Sequence, residues 1–198
     1  KIKDNPKPFG SDWNYFRGNA AARAKKLKTA TKMYSAVKIK DRYFFPAKYQ
    51  QAMIAIDDKR TDDAIVALKA VLNPTTHRLS PLNARMRRDV IDYAYMGLGR
   101  IFYEEKEFLN AVKMYRRVSR KGINIYDSLF EQSWAFFLAG YPGHALGAIH
   151  AAESPFFKDV FNPETAILRS LIHYWLCRYE DSRKSLADFI DKNGKAVE

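Results

Sequence analysis

The sequence predicts an all-α protein, and three observations carry that prediction. No alternating, β-branched run of the kind that marks a strand occurs in the 198 residues. Apolar residues recur instead at helical spacing, as in Leu27, Ala30, Tyr34 and Val37. Capping residues, prolines and glycines divide the chain into segments of roughly 10–25 residues, a helical length.

Taken in order, the opening KIKDNPKPFGSDWNYFRG holds two prolines and two glycines without a helical period. It reads as an extended arm anchored by Trp13, Tyr15 and Phe16. From Asn19, the run NAAARAKKLKTATKMYSAVKIK is rich in Ala and Lys. Those residues favour helix, and one helix of about 20 residues with a narrow apolar stripe is expected before Pro46. Further on, Thr61 followed by Asp62 and Asp63 places a cap and two acids where the helix dipole favours negative charge. Ser80-Pro81 and Asn162-Pro163-Glu164 each put a capping side chain before a proline suited to a first helical turn. Breaks are expected near 58–59, 73–74, 105–107, 121–122, 140–143, 153–155 and 177–179.

Composition narrows the class. The longest apolar stretches, such as WAFFLAG at 134–140, fall far short of the roughly 18–20 residues of a membrane span. A single cysteine, Cys177, excludes an internal disulfide framework and a Cys-based zinc site. The net charge of +12 is uneven: residues 1–48 carry 13 Lys and Arg against 3 Asp, and residues 49–198 carry 21 basic against 19 acidic side chains. A basic segment, 1–45, thus precedes a nearly neutral body, 46–198. The start at Lys1 reads as a processed or cut end and the tail DKNGKAVE as a cut or frayed terminus, and a larger multi-repeat protein or complex is expected around the chain.

The stretch LGRIFYEEKEFLNAVKMY, 98–115, carries the architecture. Leu98-Gly99 is followed by Phe102, then Phe108, Ala111, Tyr115 and Val118. In that order and spacing it resembles the tetratricopeptide (TPR) consensus over about 34 residues. Small residues at Gly99 and Ala111 are expected to let two helix backbones approach, with Phe102, Phe108 and Tyr115 filling the seam. The same frame places Ala64, Ala145 and Ser182 at the position of Ala111, with intervals of 47, 34 and 37 residues. The first interval holds an insert of 13 residues, NPTTHRLSPLNAR. Thr61 and Pro142 depart from the pattern before the turn Ala, and His173 replaces an interior aromatic. The resemblance implies a TPR-like right-handed α-solenoid of about three to four helix pairs, with repeats near 46–78, 81–125, 126–160 and 163–192, preceded by the basic arm and helix. An unrelated helical bundle is the alternative.

A second resemblance lies in SPFFKDVFNPETAILRSLIHYWLCRYEDSRKSLADFI. It is similar to the last repeats of exported TPR proteins of bacterial envelopes, which implies a periplasmic or cell-envelope location; the cytoplasm is the alternative.

Catalytic and metal-binding patterns are weak. His173 and Cys177 stand four apart on one helix face and could supply two metal ligands or a thiol–imidazole pair, but their repeat positions are core and turn positions. His144 and His150 do not share a face, and His77 stands alone in the insert. The acidic pairs Asp57-Asp58, Asp62-Asp63 and Glu104-Glu105 fall at turns, where solvation and helix-end electrostatics account for them. No phosphate-loop, dinucleotide, zinc-protease or nucleophile-elbow pattern is present. The expectation is a non-enzymatic chain with no cofactor and no metal.

Two surfaces are expected to meet partners. The first helices of TPR pairs line a concave face that binds peptides or folded segments. The frame points Tyr49, Met53, Tyr93, Met96, Arg100, Tyr103, Phe130, Trp134, Phe137 and Tyr174 there, with Leu171 and Trp175 flanking. Aromatics, Met and Arg match the composition of binding hot spots, and Arg100 could pair with a ligand carboxylate. The competing assignment is packing between neighbouring repeats. The second surface is a basic patch of Arg23, Lys25, Lys26, Lys28 and Lys32, suited to an acidic partner or another polyanion, whether nucleic acid or an anionic envelope surface. A protein-interaction scaffold or adaptor is the leading expectation. A polyanion-docking module, with the repeats as spacer, is the second.

Overall fold

A computed structural model describes residues 12–75, 84–160 and 162–193. Among the described residues all regular structure is helical: ten α-helices and one 3-10 turn. The chain divides into two compact units, Lys1–Leu98 and Gly99–Glu198.

The first unit contains α1 (Trp13–Arg23), α2 (Leu27–Ser35), α3 (Phe44–Asp57), α4 (Thr61–Leu72) and the first part of α5 (Ala84–Glu104). Consecutive helices pack in pairs, α1 on α2 and α3 on α4, with α2 also touching α3. The second unit holds the end of α5, then α6 (Phe108–Tyr115), α7 (Ile125–Leu138), α8 (Pro142–Ala152), the 3-10 turn Pro155–Phe157, α9 (Pro163–Trp175) and α10 (Tyr179–Asn193). There α7 packs on α8 and α9 on α10. A core of Ala145, Ile149, Leu168 and Ile172 joins α8 to α9.

One turn recurs five times among the described residues and sets the pairing. Lys25, Lys59, Lys106, Gly140 and Cys177 have φ of 55°, 57°, 62°, 83° and 58°. Each stops a helix in the left-handed conformation. The next N–H then returns to a carbonyl five residues back: Lys26 to Ala21, Arg60 to Ala55, Glu107 to Phe102, Tyr141 to Phe136 and Arg178 to His173, at 2.8–2.9 Å. This is the Schellman closure, which satisfies helix-end carbonyls and reverses the chain. Each left-handed residue precedes the key small residue (Ala30, Ala64, Ala111, Ala145, Ser182) by five positions.

The repeat therefore begins earlier than expected. Among its described residues the basic segment is not the end of an extended arm followed by one long helix. Residues from Trp13 onward are helical, and the Ala- and Lys-rich run is broken at Ala24–Lys26 into the α1–α2 pair. Tyr15 stacks on Tyr43 with centroids 4.7 Å apart, and Phe16 meets the same ring edge-on at 5.1 Å. The part of the expected arm before Asp12 lies outside the described residues.

Small residues recur twelve positions before each key Ala or Ser, as Gly18, Ala52, Gly99, Ser133 and Ser170, and all five are buried. Four positions after it stand Tyr34, Leu68, Tyr115, Ile149 and Leu186. Both glycines face a tyrosine: a Cβ on Gly18 or Gly99 would lie 2.6 Å from Cδ1 of Tyr34 or Tyr115. The Gly99 position thus accommodates an aromatic ring from α6, where the sequence pointed to backbone approach.

Cap chemistry agrees in part. Asn162 caps α9, its Oδ1 accepting from the Glu164 N–H at 3.0 Å. Thr61 does not cap α4; the closure at Lys59 makes Arg60 the flanking residue, and Thr61 is the first helical residue. Ser80-Pro81 and His77 lie outside the described residues.

Candidate functional site: aromatic and charged surfaces

In the first unit, Tyr49 and Tyr93 of the expected groove meet with ring centroids 5.6 Å apart, and Met53 is half-buried. Met96 is a correction. It lies one helical turn from buried Asp92 and is itself 3% exposed, so it is a core side chain with no surface to offer a ligand. On α3 the half-buried Lys48 ammonium donates to Gln51 Oε1 at 3.0 Å, and burial lowers its pKa.

In the second unit, α5 and α7 bring Arg100, Tyr103, Glu131 and Trp134 to one cleft of about 340 Å³, with Glu104 and Tyr115 completing its wall. The Arg100 guanidinium is not presented to solvent as an open fork. Its Nε donates to both Glu131 oxygens at 3.0 Å and its Nη2 to Oε1 at 2.5 Å. Glu131 also holds the Tyr115 hydroxyl, whose pKa is driven strongly upward, first by burial and then by this carboxylate. Burial and the same carboxylate raise Tyr103 as well. A ligand carboxylate would therefore compete with Glu131 for Arg100. Nothing in the sequence pattern singled Glu131 out, because its partner is 31 residues away.

The remaining aromatics of the expected groove have two roles. Phe130, Trp134 and Phe137 pack partly against the α8–α9 core. From there Phe137 meets Trp134 at 6.5 Å and Trp175 at 6.1 Å. On α9 the surface opens: Tyr174 and Trp175 are 63% and 59% exposed, with Leu171 and Ile167 exposed beside them. Ile167, Leu171 and Tyr174 are spaced i, i+4, i+7, the spacing of a single helix face. Ile167 was missed by the sequence reading, although its spacing with Leu171 was available.

The basic patch is fully on the surface. Arg23, Lys25, Lys26, Lys28 and Lys32 are all exposed, and none has an ion pair among the described residues. Lys25 and Lys26 form the α1–α2 turn, so the patch belongs to a helix pair and not to one continuous helix.

His173 and Cys177 do not form a ligand set. Cys177 is the left-handed residue after α9, and burial and then Arg178 lower the His173 pKa. Among the described residues no group of three His, Cys, Asp or Glu side chains is placed to hold a metal ion. No helix among them is long and apolar enough to cross a membrane.

No protein-family model matches the sequence, and no curated protein matches it either. Solved structures do match in fold. A crystal structure of MamA aligns with a TM-score of 0.69 and 17% identity, covering 91% of this chain and 96% of that one. A second MamA structure aligns with a TM-score of 0.71 and 14% identity, covering 96% and 95%. A MamA D159K mutant aligns at 0.61 and 12%, covering 92% and 96%. At such identities the likeness is one of fold. The chain has an all-α, TPR-like helical solenoid fold, the fold it shares with these MamA structures.

Proposed function

We propose that this chain is a non-enzymatic protein-interaction scaffold, and that its partner docks on the exposed aromatic face of α9 and the adjoining end of α7. One observation carries the reading. Tyr174 and Trp175, large apolar side chains, stand 63% and 59% exposed beside Leu171 and Ile167. A continuous apolar face of that kind marks an interaction site in a soluble domain, and aromatic anchors dominate binding energy. The TPR-like fold supports the reading, since helices of this kind present such faces. The envelope location proposed with it rests on the sequence resemblance of residues 154–190 alone.

The test is capture from the source organism's extract at moderate salt, comparing the full chain with Tyr174→Ala/Trp175→Ala. Both residues are exposed, so the variant keeps its helical circular dichroism. The partner held by the full chain is lost with the variant; unchanged capture by the variant removes this face from consideration.

A second reading, docking of the α1–α2 pair on a polyanion, is favoured by the five exposed cations that lack ion pairs among the described residues. Such binding falls steeply between about 50 and 200 mM salt, whereas capture through the α9 face changes little.

A further inference from the structure

The second half of the chain looks neutral by count, yet the end of α6 gathers charge of one sign. Lys113, Arg116, Arg117, Arg120 and Lys121 fall within nine residues that contain no acid. All five are exposed. Lys113 donates to Asn110 Oδ1 at 3.0 Å, and none of the five has an ion pair among the described residues. Stabilisation of the helix terminus accounts for Lys113 and Arg116, which sit in the last turn and at the C-cap of α6. It does not account for Arg117, Arg120 and Lys121, which lie beyond the helix end, where the dipole effect fades.

We infer that Arg116, Arg117, Arg120 and Lys121 form a docking surface for an acidic protein segment carrying an apolar side chain. Three of the four are arginines, whose planar guanidinium forks bind carboxylates bidentately and not merely as point charges. Ile123, two residues on, is 65% exposed and supplies an apolar contact beside the charge. That pairing decides the class of partner. A single-stranded nucleic acid would need exposed aromatic rings for stacking, and Tyr115, the aromatic of this segment, is buried. A membrane surface would need a broad apolar face, and here one isoleucine stands among cations. The surface shares no residue with the α9 face, so the two proposals fail independently.

The experiment uses the full chain and fluorescence anisotropy with four probes. These are a labelled Asp/Glu peptide containing leucines, an oligoglutamate of equal charge, a single-stranded oligodeoxynucleotide of equal charge, and phosphatidylglycerol vesicles. The leucine-containing acidic peptide binds most tightly. Arg116→Gln/Arg117→Gln/Arg120→Gln/Lys121→Gln raises its Kd by about tenfold, the loss of several exposed charge pairs. Ile123→Ser weakens the leucine-containing peptide and leaves oligoglutamate unchanged. Lys40→Gln/Lys69→Gln/Lys158→Gln/Lys184→Gln, which removes the same charge at exposed positions elsewhere, has a much smaller effect. Equal weakening by both charge variants would reduce the effect to net charge and overturn the proposal. Tighter binding of the oligonucleotide or the vesicles, or no binding of the acidic peptide, overturns it as well. Circular dichroism of each variant checks the fold; all the substituted side chains are exposed.

Discussion

The ring of Tyr115 lies so close to Gly99 that a Cβ there would stand 2.6 Å from Cδ1, and Tyr34 stands against Gly18 at the same 2.6 Å. In both pairs the residues are sixteen apart and belong to the two helices of one hairpin. Where the small position is Ala52 or Ser133, the matching residue is Leu68 or Ile149. The side chain on the second helix is larger where the first helix offers less.

Gly99→Ala is therefore expected to destabilise the chain by about 1–3 kcal/mol, since the buried Tyr115 ring must shift to admit a Cβ. Gly147→Ala is the control. Gly147 lies inside α8 with nothing within 4 Å of an added Cβ, and the substitution should stabilise by about 1 kcal/mol through helix propensity. Urea denaturation of the two variants, read by circular dichroism, should give shifts of opposite sign.

The five left-handed helix ends make a second prediction. Lys106 pays for a conformation that glycine adopts freely, so Lys106→Gly should raise stability by up to about 1 kcal/mol. Gly140, at φ 83°, holds the same place in its repeat. Gly140→Ala should lower stability by about 1 kcal/mol although nothing crowds its Cβ, because the cost lies in the backbone. Thermal melts of both variants check the pair.

Alkaline titration tests the buried tyrosines. Tyr34 donates to Asn19 Oδ1 at 2.8 Å, and its pKa is pushed from 10.0 to about 12, first by burial and then by Tyr15. The folded state disfavours the phenolate. The corresponding stabilisation is complete below pH 10 and is lost as pH rises through about 12, because the unfolded chain ionises first. Tyr34→Phe should flatten the fall in denaturation midpoint across that window. A wild-type decline that persists unchanged in the variant would assign it to other groups.

Arg100 and Glu131 should respond unequally to substitution. The Arg100 side chain is 57% exposed and that of Glu131 only 20%. Arg100→Ala leaves Glu131 with the Tyr115 hydroxyl and should cost less than about 1 kcal/mol, as an exposed ion-pair partner does. Glu131→Gln removes the charged acceptor of both partners and should cost about 1–3 kcal/mol. It should also ease Tyr115 ionisation, since the carboxylate helps to hold that hydroxyl protonated. Denaturation and tyrosinate absorbance read the two effects.

Much of the fold is legible in local pattern. The Leu98 to Val118 run and its echoes at Ala64, Ala145 and Ser182 mark helix pairs because a close helix–helix contact demands small residues at set intervals. The first repeat carries the same signal, with Gly18, Ala30 and Tyr34 at the intervals of Gly99, Ala111 and Tyr115. It escaped notice because Lys25 ends α1 without a Gly or Pro, and Ala with Lys favours helix on either side. The candidate surface was less legible. Tyr174 and Trp175 were within reach of spacing arguments, but Met96 was assigned to the groove and is core.

By itself, then, the sequence determined the helical class, the spacing of the pairs from Ala64 onward and the positions that must stay small, because these follow from interactions within about one repeat. Tertiary structure decided the rest. That Arg100 is spent on Glu131 and that α9 keeps a second apolar face uncovered both depend on contacts between different helix pairs. A side chain's exposure and its partners are set by what packs against it, and no local period records that.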